Sequence, residues 1–119
     1  MTEDEPPVRV ALALRRVDGD TELLKELVTT FKEDLPERVA LLKEAIRRGD
    51  PQEIFRAAHS LAGPLGILGA AKALSLAQEL EALGRMGQLE DISTICAAFE
   101  REITRVAAFF SSSDWADRA

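Results

Sequence analysis

Reactive side chains are scarce in this sequence. Its 119 residues include one His, one Cys, one Trp and no Tyr. A single Cys excludes a disulfide within the chain. One His and one Cys also exclude a Cys/His zinc site built within a single chain. Positive charge is in deficit, with 15 Lys plus Arg against 21 Asp plus Glu and a formal net charge of −6. Non-specific nucleic-acid binding needs clustered cations, so this balance argues against it. Long hydrophobic runs are missing too. The longest uncharged stretch, counting His as neutral, lies between Arg56 and Lys72 and is broken by Gly63, Pro64, Gly66 and Gly69. It is too short for a membrane span of about 20 apolar residues. The N-terminus, Thr2-Glu3-Asp4-Glu5, is acidic where a secretory signal is basic and then apolar. A cytoplasmic protein with no membrane and no nucleic-acid partner is the expectation. Its chemistry must come from His59, Cys96 or the carboxylates.

What is present is helical periodicity. Hydrophobic residues form 46% of the chain, enough at this length for one domain with its own core. Residues 1–7 read as a disordered lead-in, 8–112 as the folded domain, and 113–119 as a tail in which Trp115 has no assigned role. A short first helix runs from about Val8 to Arg16 and ends at Asp18-Gly19-Asp20, where Asp20 is placed to cap the next helix. From Thr21 to about Arg48, the residues Leu24, Leu27, Val28, Phe31, Leu35, Val39, Leu42 and Ile46 make one apolar stripe. The stripe keeps its phase across Pro36, which predicts a kink rather than a break. Gly49 closes this helix, and Asp50-Pro51-Gln52-Glu53 opens a third. That third helix buries Ile54, Ala58, Leu61 and Leu65, with an irregular end among the glycines. A fourth helix is expected from about Ala70 to Leu83, with Gly84 and Gly87 bracketing a turn. A fifth is expected from about Leu89 to Phe110. No segment alternates like a strand. The fold class is therefore all-α: an antiparallel four-helix bundle with a short N-terminal capping helix.

Each helical residue turns about 100°, so with Ile54 at zero His59 falls at roughly 140°, off the apolar stripe. Gly63 lies one turn further along the same outward face, with Gly66 nearby. An exposed imidazole keeps a neutral fraction and can act as a nucleophile. Bare glycines beside it let a partner approach closely. Taken alone, an exposed His is most often just a solvated surface residue.

The surrounding residues add a resemblance. His59-Ser60-Leu61-Ala62-Gly63 with Leu68-Gly69-Ala70 resembles the core motif of histidine-containing phosphotransfer (HPt) domains. The likeness extends through Val17-Asp18-Gly19-Asp20, Phe31-Lys32-Glu33-Asp34-Leu35-Pro36, Ala45-Ile46-Arg47-Arg48-Gly49-Asp50 and Leu80-Glu81-Ala82-Leu83-Gly84-Arg85-Met86-Gly87. It keeps register from about Val10 to Phe110. The resemblance implies a phosphorelay intermediate of two-component signal transduction. His59 would take a phosphoryl group from an aspartyl phosphate on a response-regulator receiver domain and pass it to another receiver aspartate. It implies no ATP site, no kinase activity and no cofactor or metal of the chain's own, the Mg²⁺ coming with the receiver. A hybrid histidine kinase is a further candidate partner, and a monomer is expected. The alternative is a binding-only bundle of this fold that docks receiver or kinase domains without efficient transfer.

Two departures from the family pattern bear on that choice. The family usually has Lys three residues after the histidine, where this chain has Ala62, and a small polar residue where this chain has Pro64. Pro64 lacks an N–H and crowds the Ser60 carbonyl, so a bend one turn past His59 is expected. Arg56, three residues before His59, is the nearest substitute cation for the missing Lys. Glu81 stands where the family often has a Gln or Glu that reaches the histidine; otherwise it is a solvated Glu on a charged helix. Arg85 stands where the family often has an Arg near the docking face; otherwise it is a cation near a helix C-terminus. Together with Ala62, Gly63 and Gly66, Arg85 makes up the expected partner-binding surface. Cys96 reads as a small core residue, not a thiol catalyst. Gly66-Ile67-Leu68-Gly69 has neither the strand before it nor the Lys-Ser/Thr after it that a phosphate-cradling loop needs.

Overall fold

Aspartate caps set the starts of two of the helices. The computed structural model describes residues 5–112 and 114–118. Five α-helices follow in order: α1 (Val10–Arg16), α2 (Thr21–Arg48), α3 (Pro51–Ile67), α4 (Ala71–Met86) and α5 (Ile92–Ser111). A short 3₁₀ turn, Trp115–Arg118, closes the chain. No strand occurs among the described residues. Asp20 Oδ1 accepts from the Leu23 amide at 3.0 Å, and Asp50 Oδ1 accepts from the Glu53 amide at 3.2 Å. Each side chain satisfies a donor that the first helical turn leaves open, worth about 1 kcal/mol. Pro51 follows Asp50 at the first helical position, where its missing N–H costs nothing. α2 is one uninterrupted helix through Pro36, and it buries Leu24, Val28, Phe31, Leu35, Leu42 and Ala45.

α2 to α5 pack as the bundle, and α1 caps one end of it. Leu24, Leu42, Ile54, Leu61, Leu65, Leu80, Phe99 and Val106 are all essentially inaccessible. Burying a side chain of this kind contributes about 1.5–3 kcal/mol. The capping contact passes through the α3–α4 connection: the Arg9 amide donates to the Gly69 carbonyl at 3.0 Å. Gly69 has φ +74°, and a Cβ there would lie 2.6 Å from the Arg9 carbonyl oxygen, so only glycine fits. No helix among the described residues is long and apolar enough to cross a membrane.

Several expectations differ from what is found. Gly84 does not flank a turn. It is buried inside α4, which continues to Met86 with Gly87 as its C-cap. A Cβ on Gly84 would sit 2.9 Å from the Phe55 amide nitrogen and 3.0 Å from the Pro51 carbonyl, so its absence lets α3 and α4 pack backbone to backbone. α5 begins at Ile92, not near Leu89, with Asp91 at its N-cap position. Trp115 belongs to the core: it is 7% exposed and meets Phe110 edge-on at 5.3 Å. Of the lead-in, residues 1–4 lie outside the described residues, while the Glu5 carbonyl accepts from Arg105 Nη2 at 2.8 Å. Of the tail, residues 113 and 119 lie outside them as well.

Candidate functional site

His59 projects from the middle of α3 with 69% of its side chain exposed. Its helical phase puts it toward α4, where Glu81 meets it. His59 Nδ1 and Glu81 Oε2 are 2.9 Å apart, and the Glu81 side chain is only 14% exposed. A carboxylate accepts hydrogen bonds, so Nδ1 carries the proton and donates. In the neutral ring that assignment leaves Nε2 with its lone pair and no proton. One ring nitrogen is thereby held and the other is free to react.

Two more residues complete the cluster. Arg85, one turn after Glu81 on α4, brings Nη2 to 3.7 Å from the same Oε2. Its guanidinium carbon lies 5.1 Å from the centre of the Phe55 ring. Phe55 stacks on the imidazole, with ring centres 5.8 Å apart and planes 17° off parallel. The four side chains form a loop: His59 to Glu81, Glu81 to Arg85, Arg85 over Phe55, Phe55 against His59. Phe55 is not among the residues that the sequence singles out. Its position four residues before His59, on the same helical face, is the signal that could have found it.

The other expected site residues are less uniformly placed. Gly63 is open, with nothing within 4 Å of where a Cβ would stand. Gly66 is not part of that bare surface. It is half-buried, 3.7 Å from Arg16 Nη1 and from Leu74 by its would-be Cβ, and its carbonyl accepts a hydrogen bond from Arg16. Ala62 is partly buried against the core and brings no charge. Arg56 Nη1 is held by Glu53 Oε1 at 3.1 Å, one turn back on the same helix. Around His59 itself, Arg85 is thus the cation joined to the imidazole's own partner.

Pro64 does not end α3, which runs on to Ile67. The carbonyl that Pro64 cannot serve, that of Ser60, accepts from Arg38 Nη1 at 2.6 Å. Pro64 also lines a largely apolar groove of about 130 Å³ between α2 and α3, with Leu27, Phe31, Leu35, Leu61 and Ile67. Cys96 is buried, and burial together with the Glu100 carboxylate pushes its thiol up to about 11. No group of three or more His, Cys, Asp or Glu among the described residues is arranged to hold a metal ion. The site is therefore an exposed imidazole with one ring nitrogen held by Glu81.

The Hpt domain family matches residues 26–109 of the chain. Among solved structures, the chain is similar to histidine-containing phosphotransfer protein B from Pseudomonas aeruginosa. The TM-score is 0.83 at 26% sequence identity, covering 98% of this chain and 99% of that one. No curated protein matches the sequence.

Proposed function

The chain belongs to the Hpt domain family, and on that premise we propose that it is a phosphorelay intermediate that carries the phosphoryl group on His59. The observation that supports this most is the pairing of His59 Nδ1 with Glu81 Oε2 at 2.9 Å. The Nε2 lone pair attacks phosphorus, the bond to the receiver's aspartyl oxygen breaks, and the aspartate leaves as a carboxylate. The ring then holds phosphorus on Nε2 and a proton on Nδ1, so it is cationic. Glu81 balances that charge, and Arg85 keeps Glu81 in place. The reverse step delivers the group to a second receiver. Phosphoryl transfer depends chiefly on positioning and charge stabilisation, which two docked surfaces supply together.

In this reading the partners are response-regulator receiver domains, with a hybrid histidine kinase as a candidate donor. Mg²⁺ arrives with the receiver, and the chain contributes no cofactor and no kinase activity of its own. It works as a monomer in the cytoplasm. Gly63 and Arg85 lie on the face presented to the receiver, and Arg56 or a partner's cation takes over part of the missing Lys. Ala62 at that position favours a second reading, a bundle that docks receivers without efficient transfer. Incubation with a ³²P-labelled receiver and Mg²⁺ separates the two. Transfer is expected to leave acid-labile, base-stable label that disappears in His59→Gln. No label on the wild type with several receivers supports the binding-only reading instead.

A further inference from the structure

A proline in the last two turns of a helix leaves one carbonyl without its usual donor. In α3 that carbonyl is Ser60's, the residue next to His59. A guanidinium from another helix fills the gap, with Arg38 Nη1 of α2 donating to Ser60 O at 2.6 Å in a part-buried setting. Arg38 is itself aimed by Asp34, one turn earlier on α2, with Nη2 3.6 Å from Asp34 Oδ2. α3 has no basic residue in its last turn. The cations that meet its carbonyls come from outside: Arg38 at Ser60, and Arg16 of α1 at Gly66.

We propose that Arg38 is a positioning residue for His59. It satisfies the carbonyl left open by Pro64 and so ties the turn that carries the imidazole to α2. This goes past the assignment of His59 but rests on it, because what Arg38 positions is the phosphoryl-accepting ring. Before the gap stand Phe55 and His59. Past Pro64 stands the exposed Ile67. Without a donor on Ser60 O, α3 is one tie weaker at the proline, and a proline-containing helix bends most readily at that point. A partner seated beyond the bend then meets the imidazole at a displaced angle. Transfer of a phosphoryl group tolerates such displacement poorly, and about 1 Å can cost 100-fold.

A double-mutant cycle tests this, with Arg38→Met, which keeps the aliphatic stem, and Pro64→Ala, which restores the amide donor. Arg38→Met is expected to lower the transfer rate at saturating receiver about tenfold, with little change in the half-saturating receiver concentration. Arg38→Met with Pro64→Ala is expected to stay within about twofold of Pro64→Ala alone, because the alanine's amide now serves Ser60. The loss of the Asp34 partner is common to both backgrounds and cancels. Arg38→Lys is expected to recover part of the rate, since an ammonium still donates to a carbonyl. An unchanged rate in Arg38→Met, or equal losses in the wild-type and Pro64→Ala backgrounds, overturns the proposal. Melting temperature gives the same cycle without any receiver: Arg38→Met should lower Tm more in the wild type than in the Pro64→Ala background. If the wild-type protein transfers nothing, the assignment of His59 falls, and equal Tm losses in the two backgrounds then overturn the Arg38 clamp as well.

Discussion

At His59 the two ring nitrogens stand in different surroundings, because Glu81 holds only one of them. The prediction at this scale is that Glu81→Ala slows phosphoryl acceptance by roughly 10–100-fold, the usual effect of losing a partner that orients a functional histidine. The ¹⁵N spectrum of the imidazole should show a mixture of neutral tautomers in that variant and one tautomer in the wild type. Ala62→Lys should raise the transfer rate or lengthen the phosphohistidine lifetime by about tenfold, since it puts a cation near the developing charge. Equal rates and lifetimes would mean that this chain's cluster has no use for the missing Lys. Cys96 offers a control away from the site. Its thiol is pushed up to about 11, first by burial and then by the Glu100 carboxylate. Alkylation at pH 8 should therefore be at least about 100-fold slower than for a free cysteine, because only the thiolate reacts. The His59–Glu81 pair was offered by the family resemblance, beside the alternative of a solvated Glu, and the 2.9 Å contact decides between them. Arg38 was not, because periodicity says which face a residue occupies but not which carbonyl on a neighbouring helix it reaches.

Among the elements, the α3–α4 pair decides whether the site exists. Glu81 reaches His59 only because α4 lies backbone to backbone on α3 at Gly84. Gly84→Ala is expected to destabilise the fold by about 1–3 kcal/mol, since the new methyl group meets main chain that cannot move aside cheaply. It should also part Glu81 from His59, which urea unfolding and the imidazole spectrum measure separately. In the sequence Gly84 looks like a helix stop, because glycine near a helix end usually is one. Gly87, three residues later, is the actual stop. Asp20 and Asp50 start α2 and α3 where their positions in the sequence put them. α5 begins three residues later than expected, because its N-cap position, Asp91, makes no side-chain cap bond and so leaves a weaker start signal.

Over the whole molecule, the bundle and its capping helix were legible from hydrophobic period and turn residues, since each long helix buries a single stripe. The chain's C-terminal closure was not. Trp115 lies beyond the last helical period, so nothing in the pattern links it to Phe110, yet the two rings meet in the core. Trp115→Ala is expected to cost about 3 kcal/mol, as for other buried aromatic truncations, and to leave the His59 cluster's chemistry intact. The central claim concerns one atom: Nε2 of His59, held outward by the Glu81 bond on the other nitrogen. The most direct test is NMR of the phosphorylated protein, which distinguishes phosphorus on the two imidazole nitrogens by ³¹P–¹⁵N and ¹H couplings. A single phosphohistidine is expected, at His59, with phosphorus on Nε2 and a proton on Nδ1. Phosphorus on Nδ1, or on any other residue, would contradict it.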